Sequence, residues 1–231
     1  RYKLDEKIGN QKFKELYQLW IENSLNKKLA DRFLVYVEEN KIIGFVTYKI
    51  KDNFASRVYL TNFTMNKPLH TFFTNDHHRL EALLEKATEQ PETINMEYYH
   101  KFRTGLLRHI KMEEKTLFPV SIKMNKKVMQ NVIPRFKLEH GALTALLVPP
   151  PTHSIINAIR HVLEKHDFAE EENGGLYDVC EALTQGQTEE LLAVLEKVEE
   201  VPVHPPNPAP IAIEAARRAL LRAGYDFDKI K

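Results

Sequence analysis

Four histidines and two glutamates occupy positions where amphipathic helices normally carry apolar residues. Along each stretch, apolar side chains recur at steps of three or four and fall on one helical face, which the polar residue shares. Two of the histidines are followed four residues later by a glutamate, so the pattern His-x-x-x-Glu occurs twice. The set consists of His77, His109, Glu113, His140, His166 and Glu170. We predict that all six side chains point into the core.

Imidazole and carboxylate groups in a core need partners. An unpaired carboxylate in an apolar interior costs several kcal/mol, and a neutral imidazole without hydrogen bonds also loses its hydration. Domain stability is only about 5–15 kcal/mol, so six such groups must be compensated by a bound cation, by mutual ion pairing or by a water-filled cleft. A His/carboxylate set converging from four helices is a known way to build a dinuclear metal site.

The order and spacing of these residues resemble the hemerythrin-like, or HHE cation-binding, four-helix bundles. The matching segments are residues 75–80, 109–119, 139–140 and 166–177, and the resemblance covers about residues 65–183. It implies an antiparallel four-helix bundle with a non-haem di-iron site. In that site the four histidines would ligate the irons, and Glu113 and Glu170 would bridge them.

Two departures from the oxygen-carrying hemerythrins bear on the function. Those proteins have a second histidine one turn after the third-helix histidine, where this chain has Thr144. Their last carboxylate is an aspartate five residues after its histidine, whereas Glu170 follows His166 by four. With one imidazole fewer, an iron keeps a coordination position for another ligand. We therefore expect oxygen or nitric oxide binding, or iron or redox sensing, rather than oxygen transport.

The donor set contains nitrogen and oxygen but no thiolate, which suits iron, manganese or zinc. The only cysteine, Cys180, lies outside the helical stripes. Two iron ions are expected from the resemblance, with zinc or manganese as alternatives. Five acidic neighbours of the ligands could orient the imidazole rings, but we interpret each as a solvated charge on a helix face. They are Asp76, Glu114, Glu139, Asp167 and Glu171.

Composition is that of an ordinary globular protein. The chain has 231 residues, of which 43% are apolar, and a formal net charge of +1, enough for one large or two small domains. The chain has no basic stripe that would predict nucleic-acid binding and no apolar run of about 18 residues that would predict a membrane span. A single cysteine and the lack of a signal-peptide pattern predict a cytoplasmic protein.

Residues 1–64 have a different pattern, which predicts a small α+β unit. A helix is expected over residues 12–23, followed by period-two strands over 32–38, 41–51 and 56–63 that form a β-meander. The segment 33–48 resembles the central hairpin of GNAT-type acyltransferases. Those enzymes hold the coenzyme A pyrophosphate on a glycine-rich loop. The first 100 residues here contain only Gly9 and Gly44, so we expect no acyl transfer.

Residues 184–231 are predicted to contain a helix over 188–200, a proline-rich connector over 202–210 and a tail helix over 211–223. The tail helix is expected to dock on its own domain. Recruitment of a protein partner or of a second copy of the chain, through residues 211–223 or 1–64, is the alternative.

The sequence thus predicts a mainly α protein, a four-helix bundle preceded by a small α+β unit, and leaves three functions open. The first is a hemerythrin-like, non-enzymatic di-iron protein that binds a small diatomic ligand. The second is a di-iron enzyme in peroxide or oxygen chemistry, or in the repair of iron centres. Repair relatives carry an N-terminal cysteine, and this chain has none before Cys180. The third is a partner-binding protein with a structural metal.

Overall fold

The computed structural model describes residues 67–230 throughout and, before them, the backbone of three strands. The chain divides into two compact units, Arg1–Asn66 and Lys67–Lys231. The helix predicted over residues 12–23 lies outside the described residues.

The three strands of the first unit pair antiparallel in the order β1-β2-β3. Gly44 of the central strand pairs with Tyr36 on one side and with Asn62 on the other. The third strand begins two residues earlier than predicted, because Phe54 pairs with Lys51. The strands are β1 Arg32–Glu38, β2 Lys41–Lys51 and β3 Phe54–Asn62.

The second unit is mainly helical, as predicted. A π-helical turn, Glu113–Leu117, joins the second and third helices, and short 3-10 turns cover Gln185–Gln187 and Phe227–Lys229. None of the described helices is both long enough and apolar enough to cross a membrane. The helices are α1 Pro68–Ala87, α2 Met96–Met112, α3 Phe118–Met124, α4 Lys126–Leu146, α5 His153–Glu171, α6 Leu176–Thr184, α7 Thr188–Glu196 and α8 Pro210–Arg222.

Local sequence explains where the four long helices begin. Pro68 opens α1, where a missing backbone N–H is tolerated. Asn95 accepts hydrogen bonds from two backbone N–H groups of the first turn of α2. Asn125 and Thr152 each cap the next helix, α4 and α5, in the same way with one bond. The caps fix the ends of the helices that carry the polar residues.

Two predicted helices have different bounds. The apolar periodicity around His109 and Glu113 runs over residues 94–118 and predicts a continuous helix, but the π-helical turn interrupts it and inserts one residue beside the buried Glu113. The helix expected to reach residue 200 ends at Glu196. At this end the Arg108 guanidinium donates hydrogen bonds to the carbonyl oxygens of Leu195, Glu196 and Val198, which have no partner in a further helical turn.

The apolar core of the second unit is divided into two clusters. The first cluster includes Leu80, Leu106, Leu143 and Ile159, and the second includes Phe73, Leu117, Phe136 and Leu176. The six predicted polar residues form a layer between them. Helices α1 and α4 run from the second cluster to the first, and they pass the layer at His77 and His140. Helices α2 and α5 run in the opposite direction and leave the first cluster near His109 and His166.

The tail helix α8 packs against α4. Its buried face is made of Ala212, Ala216, Ala219 and Leu220, and the last three of these join the first apolar cluster. The apolar face of the tail is therefore covered by its own chain, as expected.

Candidate metal centre

The structure brings the six predicted polar residues together in one buried layer. None of the six is more than 6% exposed, and the two glutamates are at 0%. Their donor atoms form two groups, each spanning no more than 4.8 Å, and Glu170 belongs to both. The first group is His77, His109 and Glu170, and the second is Glu113, His140, His166 and Glu170. This buried cluster could hold a metal ion.

In the first group, the Nε2 atoms of His77 and His109 lie 3.0 Å apart. Glu170 Oε2 lies 3.4 Å from His77 Nε2, and Glu113 Oε1 lies 3.7 Å from His109 Nε2. Both glutamates therefore reach the first group with one oxygen.

Their other oxygens reach the second group. Glu113 Oε2 lies 3.0 Å from His140 Nε2, and Glu170 Oε1 lies 3.2 Å from His166 Nε2. Among the described residues, Glu113 Oε2, Glu170 Oε1 and His140 Nε2 are buried without a hydrogen-bond partner. Each of the two carboxylates reaches both groups and has a buried oxygen without a hydrogen-bond partner. This arrangement fits two cations that share the carboxylates.

Each of the four imidazole rings is held from behind by a carboxylate. When a ring donates its Nδ1–H to a carboxylate, its Nε2 presents a lone pair to the layer. Such carboxylates fix the tautomer and the ring orientation of metal-binding histidines. The pairs are His77 Nδ1 with Glu171 at 2.7 Å, His109 Nδ1 with Asp76 at 3.0 Å, His140 Nδ1 with Glu114 at 3.0 Å and His166 Nδ1 with Glu139 at 2.9 Å.

Our interpretation of these four acids as solvated charges is therefore wrong. The side chains of Glu139 and Asp76 are only 3% and 11% exposed, and those of Glu114 and Glu171 are 27% and 28% exposed. Helical geometry brings each acid behind a ring on a neighbouring helix, a relation that adjacency in sequence does not reveal. Asp167 differs, because its Oδ1 has no hydrogen-bond partner and lies 3.9 Å from His77 Nε2.

The two central glutamates have pKa values that are driven apart. Burial raises the pKa of Glu113, but the neighbouring imidazoles of His109 and His140 outweigh burial and hold this pKa well below its usual range. At Glu170, burial and repulsion from Glu113 and Asp167 raise the pKa well above its usual range. A cation between the carboxylates would remove this repulsion and displace the Glu170 proton, so metal binding is expected to release protons.

Tyr177, in the first turn of α6, is a residue of the layer that sequence reasoning missed. Its hydroxyl lies 2.8 Å from Glu113 Oε1 and 2.9 Å from Glu170 Oε2. It also lies 3.1 Å and 3.4 Å from the Nε2 atoms of His77 and His109. Burial and the two carboxylates raise the pKa of this phenol well above its usual range. The sequence did contain a signal, the helical spacing of Tyr177, Cys180, Glu181 and Thr184. The structure buries all four side chains.

Tyr225, which follows α8, is a second missed residue. Its hydroxyl donates a hydrogen bond of 2.9 Å to Glu139 Oε1, and Arg135 Nε donates to the same oxygen at 3.1 Å. The other oxygen of Glu139 holds His166. Tyr225 thus acts on the layer through Glu139. No sequence pattern could indicate this contact between residues so far apart along the chain.

A cavity of about 610 Å³ opens beside the layer. Three of the histidines, His77, His109 and His166, contribute to its lining, together with apolar side chains such as Leu84 and Leu106. This volume is typical of pockets for small organic ligands, which measure about 300–1,000 Å³. The cavity therefore reaches the layer at three of its four histidines.

No protein-family model, curated protein or solved structure matches this chain. Thr144, at the position where oxygen-carrying hemerythrins have a further histidine, is exposed and lies outside both donor groups. A function can therefore be proposed only from the residues of the layer and their geometry.

Proposed function

We propose that this chain is a hemerythrin-like protein that holds two non-haem iron ions in an antiparallel four-helix bundle. The observation that carries the proposal is the pair of buried donor groups, which share Glu170 and are both reached by Glu113. Four histidine rings complete the groups, and each is oriented by its own carboxylate.

The arrangement of the core supports the bundle. The long helices α1, α2, α4 and α5 cross from one apolar cluster to the other in alternating directions, as antiparallel neighbours do. A polar layer in the middle of such a core is destabilising unless its charges are compensated. Two cations between two carboxylates and four imidazoles provide that compensation.

In this proposal His77 and His109 would hold one ion, His140 and His166 would hold the other, and both ions would share Glu113 and Glu170. Bound iron supplies a centre that binds oxygen or nitric oxide and changes oxidation state. The carboxylates behind the rings would fix each Nε2 toward its ion, and an apolar cluster lies on either side of the layer. Ligand binding as a signal of oxygen, nitric oxide or redox status is the role we favour.

One observation favours a second candidate, a di-iron enzyme. The cavity beside His77, His109 and His166 is far larger than a diatomic molecule needs. It has room for peroxide together with a small organic substrate. In that case the same residues would hold the irons, and the apolar wall at Leu84 and Leu106 would position the substrate.

The test of the proposed function is a metal count on protein purified without oxygen from iron-supplemented cells. We expect two irons per chain and new charge-transfer absorption in the near ultraviolet after air is admitted. His109→Ala should lose at least one iron, whereas His100→Ala, an exposed histidine on the same helix, should retain both. Less than half an iron per chain, or zinc with no spectral change, would instead favour a structural metal or a partner-binding protein.

A further inference from the structure

The hydroxyl oxygen of Tyr177 lies among the donor atoms of the first group. Four donors, two carboxylate oxygens and two imidazole nitrogens, surround it at 2.8 to 3.4 Å. The ring is fixed in place by stacking on Phe73, with centroids 4.9 Å apart and an interplanar angle of 18°. Tyr177 is thus a rigid part of the layer.

In the form that a metal ion requires, with neutral rings and ionised carboxylates, hydrogen bonding leaves most of these contacts without a proton. A phenol has a single proton and can donate it to only one acceptor. In that form His77 and His109 donate their Nδ1 protons to Glu171 and Asp76, and both Nε2 atoms of the neutral rings face Tyr177 with lone pairs. Lone pairs of five atoms then converge on one small volume, an arrangement that a cation stabilises.

The spacing of the five atoms is that of ligands around one ion. With bonds of about 2.1 Å, neighbouring ligands of a six-coordinate ion lie about 3.0 Å apart. The two histidine Nε2 atoms are 3.0 Å apart, and Tyr177 lies at 2.8 and 2.9 Å from the two carboxylate oxygens. The widest of the neighbouring separations, from His109 Nε2 to Glu113 Oε1, is 3.7 Å.

We propose that Tyr177 is a fifth protein ligand of the ion held by His77 and His109, and that it binds as a phenolate. This inference rests on the proposed di-iron function. The O–H bond of the phenol breaks as the oxygen–metal bond forms, and the proton is released to solvent, as in other metal sites whose ligands must lose protons.

The consequence is an unequal pair of ions. The first ion has five protein donors, whereas the second has four, from His140, His166, Glu113 and Glu170. Thr144 adds no donor to the second group. An external anion such as azide is therefore expected to bind at the second ion, which has more coordination positions left.

The test is optical and vibrational spectroscopy of the full chain, loaded with ferrous iron and oxidised by air. Phenolate bound to ferric iron gives a charge-transfer band in the visible and enhances tyrosine ring vibrations in resonance Raman spectra. We expect both signals, and complete loss of both in Tyr177→Phe. Tyr99→Phe is the matched control, since Tyr99 is equally buried and its hydroxyl has no partner among the described residues. It should keep both.

Each outcome separates this inference from the proposed function. Two irons per chain without tyrosine vibrations, or with signals that survive Tyr177→Phe, would overturn the phenolate ligand and leave the di-iron proposal standing. Absence of iron from the unmodified protein would refute both. If Tyr177→Phe fails to bind iron, resonance Raman spectra of the unmodified protein, grown with ring-deuterated tyrosine, test the inference instead. The enhanced bands shift on deuteration only if they belong to a phenolate ligand, so unshifted bands would overturn it.

Discussion

Replacing Glu139 with glutamine should weaken metal binding at the second group. Glu139 holds His166 Nδ1 at 2.9 Å, and its side chain is only 3% exposed. The hydrogen bond from His166 lowers the pKa of Glu139 against the effect of burial, so the substitution removes a negative charge at neutral pH. Loss of such a partner typically reduces metal affinity by about 10–100-fold, which corresponds to about 1.4–2.8 kcal/mol. Deep burial places Glu139 at the upper end of that range.

Glu171→Gln is the matched comparison. Glu171 makes the same contact with His77 Nδ1, at 2.7 Å, but its side chain is 28% exposed. Water can take over part of its role there, and an exposed ion pair contributes little. We therefore expect a loss of about tenfold or less for this variant.

Competition against a chromophoric chelator under anaerobic conditions measures both affinities, and circular dichroism of the metal-free proteins checks that the fold is retained. We expect a larger loss of affinity for Glu139→Gln than for Glu171→Gln. An equal or reversed order would refute the argument from burial. Unchanged affinity in both variants would mean that the carboxylates do not orient the histidines toward a metal.

Three further predictions follow from the same network. Tyr225→Phe removes one donor to Glu139 and should lower iron affinity by less than Glu139→Gln does, in the same chelator competition. Leu84→Trp narrows the cavity and should leave the iron count unchanged while slowing azide binding, measured by stopped-flow absorption; an unchanged rate would mean that ligands enter elsewhere. Burial lowers the pKa of His109, but the charge of Glu113 and the hydrogen bond with Asp76 outweigh it and raise this pKa from 6.5 to about 10. The stability that His109 gives the metal-free protein is therefore complete below pH 6.5 and lost as pH rises to about 10. Because iron binds the neutral ring, the difference in Tm between loaded and metal-free protein should widen over this window; a constant difference would contradict the assignment.

The sequence predicted the residues of the layer because their positions follow helical periodicity, which is a local property. His109 and Glu113 fall on the apolar face of one helix, and the structure buries both. The partners of these residues could not be predicted in the same way. Glu114 holds His140 of another helix and lies in the π-helical turn that begins at Glu113. Such pairings depend on how helices pack, which periodicity does not specify.

The extent of the unit that supports the polar layer is the other point that local sequence pattern could not reveal. The resemblance to hemerythrin-like bundles ends near residue 183, yet the hydrogen bonds around the layer continue to Tyr225. Tyr225 donates to Glu139, which holds His166, and α8 buries its apolar face against α4, the helix that carries Glu139. Without this segment Glu139 would keep only Arg135, whose own side chain is 55% exposed, as a further partner. Docking of the tail and binding of metal at the second group therefore stabilise the same carboxylate, and each is expected to strengthen the other.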